Sequence, residues 1–192
     1  VKMGRFFIGG WDPARGLVWW QDPGYRIPRE FQAFGESLSY PIYATFSGFW
    51  NGIYSTVWLD GLISANGDPL YMPHWNHALL LSGVWLSLLP TLAMLAGLCV
   101  ALRGHPRVAS HTHLFFAAGC AAIYIAALAH HYLTNPNYCA AKAFYTVGVT
   151  SCYAVLGAAG MEVFTRWKPL RPIMYGLFAC WAFSAYAGFF IL

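Results

Sequence analysis

The chain has 192 residues, of which 58% are hydrophobic, 18% aromatic and only 9% charged, with a formal net charge of +4. Soluble domains carry roughly a quarter charged residues, so this composition excludes an ordinary soluble domain and fits a surface facing lipid, where charge is expensive. The positive excess is small and scattered along the chain, which excludes nucleic acid as a partner.

Residues 1–77 read as an irregular, aromatic-rich region on the membrane surface. Asp12-Pro13, Asp22-Pro23 and Asp68-Pro69 start turns, and aromatic pieces such as Trp19 and Trp20 lie between them. Within this region Phe49, Trp50, Ile53, Tyr54, Val57 and Trp58 recur at helical spacing, while Asn51, Ser55 and Thr56 fall away from the stripe. That pattern predicts an amphipathic helix near 46–60, lying flat at the outer water–lipid boundary that Trp and Tyr favour. Its polar face has no Lys or Arg. The aromatic stripe, with Trp50 and Trp58 as candidate binding residues, is therefore expected to gain its stabilisation from neighbouring protein as well as lipid.

Asp60 follows the stripe. An acid at the C-terminal end of a helix is disfavoured by the dipole, so Asp60 either serves chemistry or caps the turn through Gly61. The cap is the plainer reading, and Asp60 stays only a weak catalytic candidate.

His74 and His77 precede the first apolar run at a spacing that puts two imidazoles on one helical face. A metal site needs further ligands, and no Cys or acid stands nearby in sequence. Anchoring at the interface is the plainer reading. His111 and His113 begin the second apolar run, and His130 and His131 end it. Neutral imidazole can hold haem iron or, by the same chemistry, the magnesium of a chlorophyll-type pigment. These cofactors, and lipids on the helix faces, are the ligands the histidines allow, although His at a membrane boundary needs none.

Four runs are long enough to cross a bilayer, which takes about 20 helical residues. They cover about 78–102, 113–132, 143–164 and 173–192, separated by Gly104 and Pro106, by Asn135 and Pro136, and by Pro169 and Pro172. Pro90 predicts a kink in the first. The second and third carry small residues at near-helical spacing, Gly119, Ala122 and Ala126, then Gly157 and Gly160, as close-packed membrane helices do. Glu162, the one acid inside a run, stands four residues before Arg166 in the favourable order for an ion pair. The five cysteines, Cys99, Cys120, Cys139, Cys152 and Cys180, form no CxxC pair and read as small packing residues.

Arg103 and Arg107, then Arg166, Lys168 and Arg171, occupy the loops after the first and third runs. The positive-inside rule puts both loops in the cytoplasm and both termini outside a bacterial inner membrane. The chain starts at Val1 and ends within an apolar run, which reads as a processed product or a fragment.

The strings WWQDPGYR (Trp19 to Arg26), GFWNGIYSTVWLDGL (Gly48 to Leu62) and KAFY (Lys142 to Tyr145) resemble the C-terminal part of bacterial dolichyl-phosphate-mannose protein mannosyltransferase-like proteins, multispan glycosyltransferases of the GT-C type. The resemblance implies an all-α membrane fold and a lipid-phosphate-linked sugar donor. It also implies that the family's catalytic acid, which lies in the first large outer loop, falls outside this stretch. Two functions follow. One is a non-catalytic subunit, derived from such a transferase, packed in a larger membrane assembly such as a photosynthetic or respiratory complex. The alternative is a fragment of an active transferase that uses a polyprenyl-phosphate-linked sugar.

Overall fold

The computed structural model describes residues 28–41, 44–59, 76–104, 111–134 and 141–191. Among these residues every regular element is a helix. Short elements come first: a 3-10 turn at Pro28–Phe31, α1 at Glu36–Ser39, a second 3-10 turn at Ala44–Phe46, and α2 at Phe49–Trp58. Longer helices follow: α3 at His77–Leu86, α4 at Leu88–Arg103, α5 at His111–Thr134, α6 at Thr150–Phe164 and α7 at Arg171–Phe190.

Among the described residues four helical stretches are long and apolar enough to cross a membrane: Ala78–Arg103, Thr112–Leu133, Tyr145–Phe164 and Arg171–Phe190. The protein is a multi-pass membrane protein, with only helical elements among the described residues. It divides into two units, Val1–Pro73 with Ala126–Tyr145, and His74–Ile125 with Thr146–Leu192.

In the second unit, span one is two helices. The sequence predicts a kink at Pro90, and the break falls at Ser87, three residues earlier. Proline has no N–H for the Leu86 carbonyl, and its ring crowds that turn. Ser87 takes over the local bonding. Its hydroxyl donates to the Gly83 carbonyl at 2.6 Å, and its own carbonyl accepts from the Thr91 amide at 3.1 Å. The two halves then pack against different partners, α3 on α7 and α4 on α6.

The α3–α7 pair is held by polar contacts. The Trp181 indole Nε1 donates to the Ser87 hydroxyl at 2.8 Å, and the Ser184 hydroxyl donates to the Leu79 carbonyl at 2.6 Å. At the head of α3 the Asn76 side chain caps the Leu79 amide, while the Asn76 amide donates to the Gly188 carbonyl at 3.1 Å. In lipid such groups have no water to fall back on, so each pairing replaces an unsatisfied donor or acceptor.

The α4–α6 pair relies on missing side chains. A Cβ at Gly97 would land on the Leu156 carbonyl, and one at Gly160 on the Ala93 carbonyl. The two backbones therefore meet directly, the approach that small residues permit in membranes. An alanine-rich cluster of Ala101, Leu114, Ala117, Ala118, Ala121, Leu156 and Ala159 extends this contact to α5.

Span three is entered through a 3-10 run over Ala143–Val149, which leads into α6. Such runs seldom exceed four residues. Here Val147 and Val149 are stiff at χ1, and Gly148 adds no helix preference. Glu162 and Arg166 form the ion pair expected from their spacing, at 3.9 Å and with both side chains largely exposed. It contributes at most a few tenths of a kcal/mol. Cys120 and Cys152 are half-buried, whereas Cys99 and Cys180 face outward, so the latter two are not the interhelical fillers the sequence suggests.

Candidate functional site

The richest polar and aromatic constellation among the described residues surrounds α2, in the first unit. Gly48 leads into this helix with φ 149°, a conformation L side chains rarely adopt, and a Cβ there would come within 2.5 Å of the Glu30 carbonyl oxygen. One turn on, a Cβ at Gly52 would come within 2.6 Å of the Ala141 carbonyl oxygen. Another turn on, the Thr56 hydroxyl accepts from the Ala143 amide at 2.7 Å and donates to the Gly52 carbonyl at 2.7 Å. Gly48, Gly52 and Thr56 thus form one small-residue face against which other backbone packs.

On the neighbouring face Phe49 is buried between Phe31, at 5.1 Å between ring centres, and Tyr132, at 5.5 Å. Tyr132 meets Phe31 edge-on at 5.6 Å, and its hydroxyl donates to the Glu30 carboxylate at 2.6 Å. A charge-assisted bond of this length is among the stronger ones available to a neutral donor. Tyr54 packs edge-on against Phe34 at 5.0 Å.

Asn51 and Ser37 are both fully buried. The Asn51 Oδ1 accepts from the Ser37 amide at 3.1 Å and from its hydroxyl at 2.8 Å, and the same hydroxyl lies 3.1 Å from the Asn51 carbonyl. The Ser37 N–H fixes which way the amide points. Asn51 Nδ2 is buried with no hydrogen-bond partner among the described residues.

These contacts correct the helical face read from the sequence. The sequence sets Asn51 and Ser55 apart from the aromatic stripe, yet both are buried, and Trp50 and Val57 point outward at 41% and 38% exposure. The reason is the Gly48–Gly52–Thr56 face, which draws the other segments to the side of the helix carrying its small and polar groups. The aromatic stripe is divided: Phe49 and Tyr54 enter the core, Trp50 stays outside and Trp58 is half-buried.

The remaining candidates are dispersed. Asp60 and His74 lie outside the described residues, and His77 is the first residue of α3. At the end of α5 His130 is exposed, while the half-buried His131 ring stands 5.5 Å from that of Tyr145. His113 lines an open cleft with Phe116, Ala117, Ser151, Cys152 and Val155. Among the described residues no three His, Cys, Asp or Glu side chains come together in a way that could hold a metal ion.

Sequence reasoning missed Glu30, Tyr132, Ser37 and the inward role of Asn51. Glu30 and Tyr132 are separated by 102 positions, beyond any local pattern. The Gly48, Gly52 and Thr56 spacing was the signal that could have found the packed face. No family model, no curated protein and no solved structure matches the chain.

Proposed function

We propose that the protein is a non-catalytic integral-membrane subunit, derived from a mannosyltransferase-like ancestor, that packs within a larger membrane assembly of the photosynthetic or respiratory kind. The observation that carries this reading is the outer face of α5. Gly119 has no neighbouring atom within 4 Å of where a Cβ would be, and Ala122 is exposed one turn later, between the outward rings of Phe115 and Phe116 and the outward Ile123. Against lipid tails such a notch gains little, whereas another helix can bring its backbone into it, as α6 does against α4.

The test is a double substitution, Gly119→Leu with Ala122→Leu, in the native host. The expected result is normal insertion but loss of co-migration with a larger species on a sizing column in mild detergent. Unchanged co-migration would remove the reason for the subunit reading. The second reading, a fragment of an active transferase, is favoured by the string around Asp60. Sugar transfer from a polyprenyl-phosphate donor by the purified chain, abolished by Asp60→Asn, would establish that alternative instead.

A further inference from the structure

α2 is tied at both ends to the margins of two membrane spans. Near its start, Phe49 packs on Tyr132, which is the penultimate residue of span two, Thr112–Leu133. Near its end, Thr56 holds the Ala143 amide, two residues before span three begins at Tyr145. Between these points Gly52 abuts Ala141. A helix fixed to the end of one span and the start of the next runs along the level where both meet the membrane boundary.

The side of α2 turned away from these contacts carries Trp50 and Val57, both exposed, with half-buried Ile53 beside them. No charged residue occurs anywhere in 37–59. We infer that this outward face, Trp50, Ile53 and Val57, is immersed in the lipid of the bilayer boundary, so that α2 is an interfacial helix lying at the level of Tyr132 and Ala143. Water is a poor match for three uncharged apolar side chains on one face. The headgroup–acyl boundary suits an indole, which has an apolar body and one polar N–H. The surface needs no anionic headgroup, since it offers no cation to bind one, and a zwitterionic bilayer suffices. This inference rests on the membrane spans alone and is independent of any larger assembly.

The experiment uses the full chain with its five cysteines replaced by serine, reconstituted in phosphatidylcholine vesicles. A nitroxide is attached at Trp50→Cys or Val57→Cys. Trp85→Cys, exposed within span one, is the lipid reference, and Lys168→Cys, exposed between spans three and four, is the water reference. The expected result is a ratio of oxygen to nickel-chelate collisions severalfold above that of Lys168→Cys and approaching that of Trp85→Cys. A ratio equal to the water reference would overturn the inference. So would an immobilised label shielded from both reagents, which would mean that protein, such as a second copy, covers the face. Should the labelled variants misfold, brominated phosphatidylcholine supplies a second measurement on the chain with its cysteines intact. Trp50→Phe is expected to remove a strongly quenched component of the tryptophan emission, and an unchanged quenched fraction would count against lipid contact.

Discussion

A single amide shows how far the interior departs from a simple apolar core. Asn51 is completely buried, and its Oδ1 is the acceptor for the Ser37 amide and hydroxyl. Truncating one partner of a buried hydrogen bond leaves the other without water or protein to replace it, at a cost of about 1–3 kcal/mol. Asn51→Ala strands the Ser37 N–H and is expected to lower stability by that amount. Ser37→Ala keeps its N–H on Oδ1 and is expected to cost about 1 kcal/mol. Because the residues touch, the double variant should be less destabilised than the sum of the singles by more than about 0.5 kcal/mol. Unfolding of the detergent-solubilised protein followed by circular dichroism measures all three. Strict additivity would show that the pair acts independently.

The helices themselves were largely legible in the sequence, because a bilayer sets their length and expels charge from them. Spans written as 78–102 and 113–132 compare with Ala78–Arg103 and Thr112–Leu133. Which side of each helix faces inward was much less legible. Periodicity grouped Trp50 with Phe49, and nothing local distinguishes them; Phe31 and Tyr132 do, from elsewhere in the chain. Likewise Gly157 and Gly160 looked equivalent, but only Gly160 lies against the backbone of α4. A Cβ at 157 would meet Met94 Cγ at 3.5 Å, an ordinary contact with a flexible side chain. Gly160→Ala is therefore expected to force α4 and α6 apart, destabilising the protein by about 1–3 kcal/mol in the manner of an overpacked core. Gly157→Ala should stay within about 0.5 kcal/mol of the parent. Equal thermal stability of the two variants would contradict this packing.

At the scale of the whole molecule the cationic loops carry an expectation about which side of the membrane each loop faces. Arg103 and Arg107 follow span one, while Arg166, Lys168 and Arg171 lie between spans three and four. Arg171 also stands over the Tyr175 ring at 5.7 Å, a cation–π contact at the start of α7. The basic loops predict a cytoplasmic Lys168 and an external Tyr40. In sealed cells carrying a cysteine-free background, a membrane-impermeant maleimide is expected to label Tyr40→Cys and to spare Lys168→Cys until the cells are opened. The reverse pattern would invert the topology without disturbing any helix contact described here.

The break at Ser87 also has a consequence in time. The two halves of span one wait for partners made much later: α4 for the third span, and α3 for the fourth. Until α7 leaves the ribosome, Leu79 and Ser87 lack the Ser184 and Trp181 side chains that hold them in the finished protein. The first half of span one is thus locked only after the fourth span has been made. Docking of α7 then completes the contacts of α3, whereas α4 can pack on α6 before α7 is made.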